Sequence, residues 1–166
     1  MNPQWEFLKY LRFKRNLMAC DEVTTYGCIA DVLAIDKHKH TIFEYEFKRT
    51  SQDLKIAEKK KYKYVTKGII RKVCGRTVWV KGGEVPVPHK FYFVVPKELW
   101  EKEKVYLRQQ NCGVIYYDTA YVGLNFFTVK NCKMRKKNLR KYDIVLRDFL
   151  VRCTSAYVTL LSTLNY

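Results

Sequence analysis

The chain has 166 residues, 48% of them apolar, with seven glycines and four prolines. That balance excludes a disordered chain and favours one domain over 1–166 with a core of its own. Thirty-two Lys and Arg against sixteen Asp and Glu leave a net charge of +16, which points to a polyanionic partner, nucleic acid first. No apolar run approaches the ~18 residues of a membrane span. The opening MNPQWEFLKYLRFKRNLM mixes charged with apolar residues, unlike a signal peptide, so the expected compartment is the cytoplasm and no membrane contact is expected. Six cysteines (20, 28, 74, 112, 132, 153) form no CxxC pair, which argues against a zinc ribbon or a thioredoxin motif and for reduced thiols.

In chain order, Phe7, Tyr10, Leu11, Leu17 and Met18 recur at helical spacings and predict a first helix. VTTYGCIADVLAID reads as a strand or strand pair, DKHKH as a polar turn, and TIFEYEFK as the next strand of an antiparallel hairpin. SQDLKIAEKKKYKYV reads as a helix with Ser51 as its N-cap. GIIRKVCGRTVWVKGG predicts a small extra β-hairpin near 68–82. A strand over Phe91–Val95 closed by Pro96, a helix at KELWEKEKVYLRQQ, strands at GVIYYD and YVGLNFFTVKN, and a C-terminal helix over about 138–164 complete the chain. His89 is expected at a surface or strand edge. The fold class is α/β, a central mixed sheet flanked by helices.

The stretch IFEYEFKRTS carries the chemistry. Phe43, Tyr45 and Phe47 share one face of the strand; Glu44, Glu46 and Lys48 share the other. Asp31 interrupts an apolar strand fifteen positions before Glu46, and a hairpin between them sets two carboxylates side by side. Such a pair raises each member's pKa unless a cation intervenes. Mg²⁺ suits it, because it takes carboxylate oxygens and retains waters. Metal, activated water and a nearby ammonium are what phosphodiester hydrolysis requires.

Asp31 followed by Glu46-Phe47-Lys48 on a strand resembles the PD-(D/E)XK nuclease superfamily. The order ADVLA, the E-x-K strand, the RTSQDL helix start and the late FYFVVP strand resemble its MmcB-like branch, implicated in DNA repair. The resemblance covers roughly Gly27 to Asp118, less an insertion near 66–88. It implies a restriction-endonuclease-like core and cleavage of nucleic acid with Mg²⁺ or Mn²⁺. It further implies that Asp31, Glu46 and the main-chain carbonyl of Phe47 are metal ligands and that Lys48 orients the water or steadies developing charge. Glu6, on the first helix, and Asp53 are accessory candidates. Ala30 stands where the family name has proline. Glu44 lies on the same strand face, so Glu44 in a shifted register remains an alternative to Glu46.

The competing explanation of this pattern is a solvent-facing strand side held by exposed ion pairs. Lys59, Lys60, Lys61 and Lys63, interleaved with Tyr62 and Tyr64, and Arg135, Lys136 and Lys137 are candidate nucleic-acid contacts; solvated helix faces explain them equally well. His38 and His40 read as turn residues, and Trp5, Trp79 and Trp100 as core or rim residues. The expected function is metal-dependent nuclease activity, on DNA in preference to RNA. The alternative is a non-catalytic nucleic-acid-binding protein on the same fold. The oligomeric state stays open, a homodimer included.

Overall fold

The predicted strands assemble into a mixed sheet in the computed structural model, which describes residues 2–25, 28–36, 38–39, 41–56, 69–73, 76–80, 88–119 and 122–134 and positions 149 and 153. Among the described residues the strands are β1 (Met18–Thr25), β2 (Cys28–Asp36), β3 (Thr41–Phe47), β4 (Ile69–Val73), β5 (Arg76–Val80), β6 (Lys90–Pro96), β7 (Gly113–Thr119) and β8 (Leu124–Lys130). Six form one sheet in the order β1-β2-β3-β6-β7-β8, and β4 pairs with β5 as the predicted extra hairpin. Antiparallel pairing joins β1–β2, β2–β3 and β7–β8; parallel pairing joins β3–β6 and β6–β7. The architecture is α/β, with helices flanking a mixed sheet.

The β2–β3 turn closes because the Asp36 carboxylate accepts the N–H groups of His38 (3.0 Å) and Lys39 (3.1 Å). Helix α1 (Pro3–Lys9) starts where the Asn2 side chain accepts from the Gln4 N–H, with proline in the first turn. The predicted first helix overreached. A π-turn over Tyr10–Lys14 widens its end, Asn16 takes a left-handed φ of 50°, and Leu17 donates to the Leu11 carbonyl. Met18 already belongs to β1.

Helix α1 lies on the face that presents Ala19, Val32, Ala34, Tyr45, Tyr92, Val94 and Ile115. Phe7 fixes it there, edge-on to Tyr45 (4.9 Å) and Phe47 (5.6 Å) and tilted against Phe126 (4.8 Å). Each such pair adds about 0.5–1.5 kcal/mol beyond area burial. The opposite face packs Leu54 of α2 (residues 51–56, as far as described) and Leu99, Trp100 and Leu107 of α3 (Lys97–Gln109) against Phe91, Phe93, Val95 and Val114. Further along that face Phe149 and Cys153 join Cys20, Leu33 and Ile42. Both positions are helical and are the described part of the predicted C-terminal helix. Helix α3 is the crossover that parallel β6 and β7 require.

Two more expectations change. The N-cap of α2 is Thr50, not Ser51: its hydroxyl accepts from the Asp53 N–H at 3.1 Å, and its carbonyl from Leu54 at 3.0 Å. His89 is fully buried, not a surface residue. Its Nδ1 accepts the Ile42 N–H at 2.8 Å just before the β3–β6 ladder begins, where a strand edge would otherwise leave that donor without a partner. Trp100 is buried and Trp5 half-buried, as expected.

Candidate functional site

In the β2–β3 register, Leu33 faces Glu44 and Val32 faces Tyr45. One step further, Asp31 falls opposite Glu46. Alternation then puts Asp31, Leu33, Glu44 and Glu46 on one face and Val32 and Tyr45 on the other. The separate clusters that hold Leu33 and Tyr45 agree with this. The registered pairs end at Val32–Tyr45, and beyond them the Phe47 N–H donates to Asp31 Oδ2 at 2.7 Å.

Asp31 is irregularly bounded on its other side too. The β1 residue opposite it is Glu22, skipped between the pairs Asp21–Val32 and Val23–Ala30, with a φ of 49°. A left-handed glutamate inside a strand costs on the order of 1–3 kcal/mol. From α1, one turn before Phe7, the Gln4 amide donates to the Asp31 carbonyl at 2.7 Å. Gln4 and Glu22 were not anticipated from the sequence. Neither position carries a pattern signal, because both depend on how separate elements meet.

Lys48 follows the last residue of β3, and its N–H still donates to the Val94 carbonyl of β6 at 3.0 Å. That extended backbone returns its side chain to the Glu46 face. Lys48 Nζ lies 3.0 Å from Glu46 Oε1 and 3.5 Å from Asp53 Oδ1. The side chains of Lys48 and Glu46 are 8% and 10% exposed; that of Asp53 is 47% exposed. The acidic face of β3 is therefore buried, which removes the explanation by exposed cross-strand pairs. Asp53 reaches Lys48 because the Thr50 cap and buried Leu54 fix the first turn of α2.

The group stands at the carboxyl end of β3, which runs parallel to β6. Open α/β sheets bind ligands at such strand ends. One strand further along the same end, Lys97 Nζ pairs with Asp118 at 2.7 Å. That hydrogen bond holds the Asp118 carboxyl below its ordinary range.

The sequence candidates sort as follows. Glu46, Lys48 and Asp53 come together, and Asp31 lies on the same face, bonded to the Phe47 N–H. Glu44 is buried on the same face, but in this register it faces Leu33 and not Asp31. Glu6 does not join them: it pairs with Lys9 at 3.1 Å, and a side chain at Gly123 in the β7–β8 turn would meet its carboxylate. Lys59, Lys60, Lys61, Lys63, Arg135, Lys136 and Lys137 lie outside the described residues.

Among the described residues there is no group of three or more His, Cys, Asp or Glu side chains placed to hold a metal ion. The donor atoms that Asp31, Glu46 and the Phe47 main chain offer are all oxygens, the type a hard divalent cation takes.

No protein-family model and no curated protein matches the chain. It is similar in structure to the SPO1766 protein of unknown function from Silicibacter pomeroyi, at a TM-score of 0.65 and 14% identity over 100% of this chain and 96% of that one. That likeness shows a shared fold. No helix among the described residues is long and apolar enough to cross a membrane.

Proposed function

We propose that the protein is a metal-dependent nuclease that hydrolyses phosphodiester bonds in nucleic acid, DNA in preference to RNA. One observation carries this reading. The β2–β3 register, continued one step past its last pair Val32–Tyr45, sets Asp31 toward Glu46 on a single sheet face at the carboxyl end of β3, with the Lys48 ammonium 3.0 Å from Glu46. Asp31, Glu46 and the Phe47 carbonyl would hold Mg²⁺ or Mn²⁺. Bound there, the ion supplies Lewis acidity and lowers the pKa of a coordinated water.

The chain's own residues do the rest. The Phe47 N–H fixes the Asp31 carboxylate, and Gln4 fixes the Asp31 main chain. Lys48 holds a positive charge beside Glu46, where charge develops on a scissile phosphate. Asp53 tethers that ammonium from the exposed side, from which a strand would approach. The net charge of +16 supports phosphate-backbone binding without sequence preference.

The second reading is a non-catalytic nucleic-acid-binding protein. It is favoured by the Lys48–Glu46 pair itself, which neutralises a carboxylate without any metal. A cleavage assay separates the two. Wild type and Lys48→Ala are incubated with labelled single-stranded, duplex, flap and four-way DNA and one RNA, in Mg²⁺, Mn²⁺ and EDTA. Metal-dependent cleavage by wild type alone is the expected result. No cleavage under any condition, with salt-sensitive binding retained by both proteins, would sink the nuclease reading.

A further inference from the structure

On the sheet face opposite Glu46 lies a cavity of about 430 Å³, inside the ~300–1,000 Å³ range of small-molecule sites. It opens between the π-turn after α1, the β2–β3 turn and the start of β6. Phe43, Tyr45 and Tyr92 form one wall. Phe43 and Tyr45 lie nearly coplanar in orientation (5°, 6.2 Å between centroids), and Tyr92 stacks on Tyr45 at 5.5 Å. Three cations, Arg15, Lys39 and Lys90, also line the cavity, with Lys90 Nζ 5.7 Å from the Phe43 ring. Asp36 is the one lining acid, and its carboxylate is already occupied by the turn it closes.

Tyr45 and Tyr92 are buried, at 4% and 5% exposed, and stand behind the more open Phe43 ring. Parallel aromatic rings accept a planar base on a π-face. Guanidinium and ammonium groups beside them take the oxygens of a phosphate.

We propose that this cavity is a nucleotide-binding site: the base lies against the aromatic wall at Phe43, backed by Tyr45 and Tyr92, and the phosphate meets Arg15, Lys39 and Lys90. The site is separate from Asp31, Glu46 and Lys48, which face the other side of the sheet, and it does not rest on the nuclease reading. The same chemistry is offered by a free mononucleotide or by the phosphorylated end of a strand.

Calorimetric titrations in EDTA test it without involving the metal candidates, at about 150 mM salt so that long-range attraction to a basic protein is screened. The ligands are dAMP, deoxyadenosine, inorganic phosphate and a 5′-phosphorylated dinucleotide. The proteins are wild type, Arg15→Ala, Lys39→Ala and, as a control outside the cavity, Lys104→Ala. dAMP should bind wild type at least about tenfold tighter than deoxyadenosine or phosphate, and Arg15→Ala should weaken it about tenfold, as loss of one charge-assisted contact does. Lys104→Ala should bind like wild type. Tighter binding of the dinucleotide assigns the site to strand ends, and its exclusion assigns it to free nucleotide; both support the proposal. No dAMP binding, phosphate binding as tight as dAMP, or wild-type affinity in both Arg15→Ala and Lys39→Ala would overturn it.

Discussion

Lys48→Met removes the ammonium from the buried pair and keeps an unbranched side chain of similar length. The Glu46 arm decides the magnitude, because the Lys48 and Glu46 side chains are 8% and 10% exposed. Removing one partner of a buried pair costs about 3–5 kcal/mol. The Asp53 arm, 47% exposed on the acid's side, adds about 0–1 kcal/mol. A total loss of about 3–6 kcal/mol is expected in urea denaturation without divalent metal. If Asp31 and Glu46 bind a cation, Mg²⁺ should then stabilise the variant more than wild type, because it replaces the missing charge instead of competing with it. At about a hundred times its dissociation constant the gain is about 2.7 kcal/mol. Glu46→Leu/Lys48→Met should recover most of the lost stability and lose the metal response, since apolar replacement of a whole buried pair is often neutral or better. A loss in Lys48→Met below about 1 kcal/mol would show a solvated pair and refute the burial argument. A large loss with no Mg²⁺ effect on either wild type or Lys48→Met would refute the metal assignment alone.

The remaining predictions concern the scaffold. Gly113→Ala would put a Cβ 2.2 Å from the Tyr92 ring, which is held by Tyr45 and by the Cys132 N–H on its hydroxyl; thermal unfolding should show a loss of about 1–3 kcal/mol or more. His89→Ala should cost about 2–4 kcal/mol in the same assay, since it removes the acceptor of the buried Ile42 N–H and opens a void. Burial pushes the Tyr45 phenol well above its ordinary value of 10.0, and Tyr92 and Tyr117 rise for the same first cause. The folded state therefore keeps protons that the unfolded chain releases, so stability holds below about pH 10 and falls above it. Denaturation midpoints across that range should fall less steeply in Tyr45→Phe; an unchanged slope would remove Tyr45 from the account.

The strands were legible because their signals are local. Period-two alternation with β-branched residues marked β2 and β3, and Pro96 marked the end of β6. The antiparallel pairing of β2 with β3 was available too, since a short polar turn fixes a hairpin. What the sequence concealed was relational. Leu17 and Met18 fit the helical spacing of Phe7, yet the left-handed Asn16 sends them into β1. His89 looks like a polar flank until the pairing of β3 with β6 creates a donor that needs it. The acidic side of β3 reads as a solvent face, because nothing in TIFEYEF says that α2, α3, Phe149 and Cys153 will cover it. Glu6 and Gln4 sit two apart on α1, and only the docking of Phe7 decides which of them meets Asp31.

Mixed pairing around β3 explains why charge gathers at one end of it. Antiparallel β2 runs back along β3, so a residue early in β2 arrives beside a residue late in β3. Asp31 and Glu46 are brought to the same end of the sheet for that reason. Parallel β6 continues alongside, and its Val94 carbonyl extends the ladder just far enough to turn Lys48 onto the same face. The result concentrates two costs in one place: a buried ion pair and a left-handed Glu22 across from Asp31. Stability alone does not favour that arrangement, since apolar residues at Glu46 and Lys48 would serve the core as well or better. Strain and buried charge that converge on one strand end make it a candidate for binding or chemistry, and the aromatic face of the same strand also holds α1 in place.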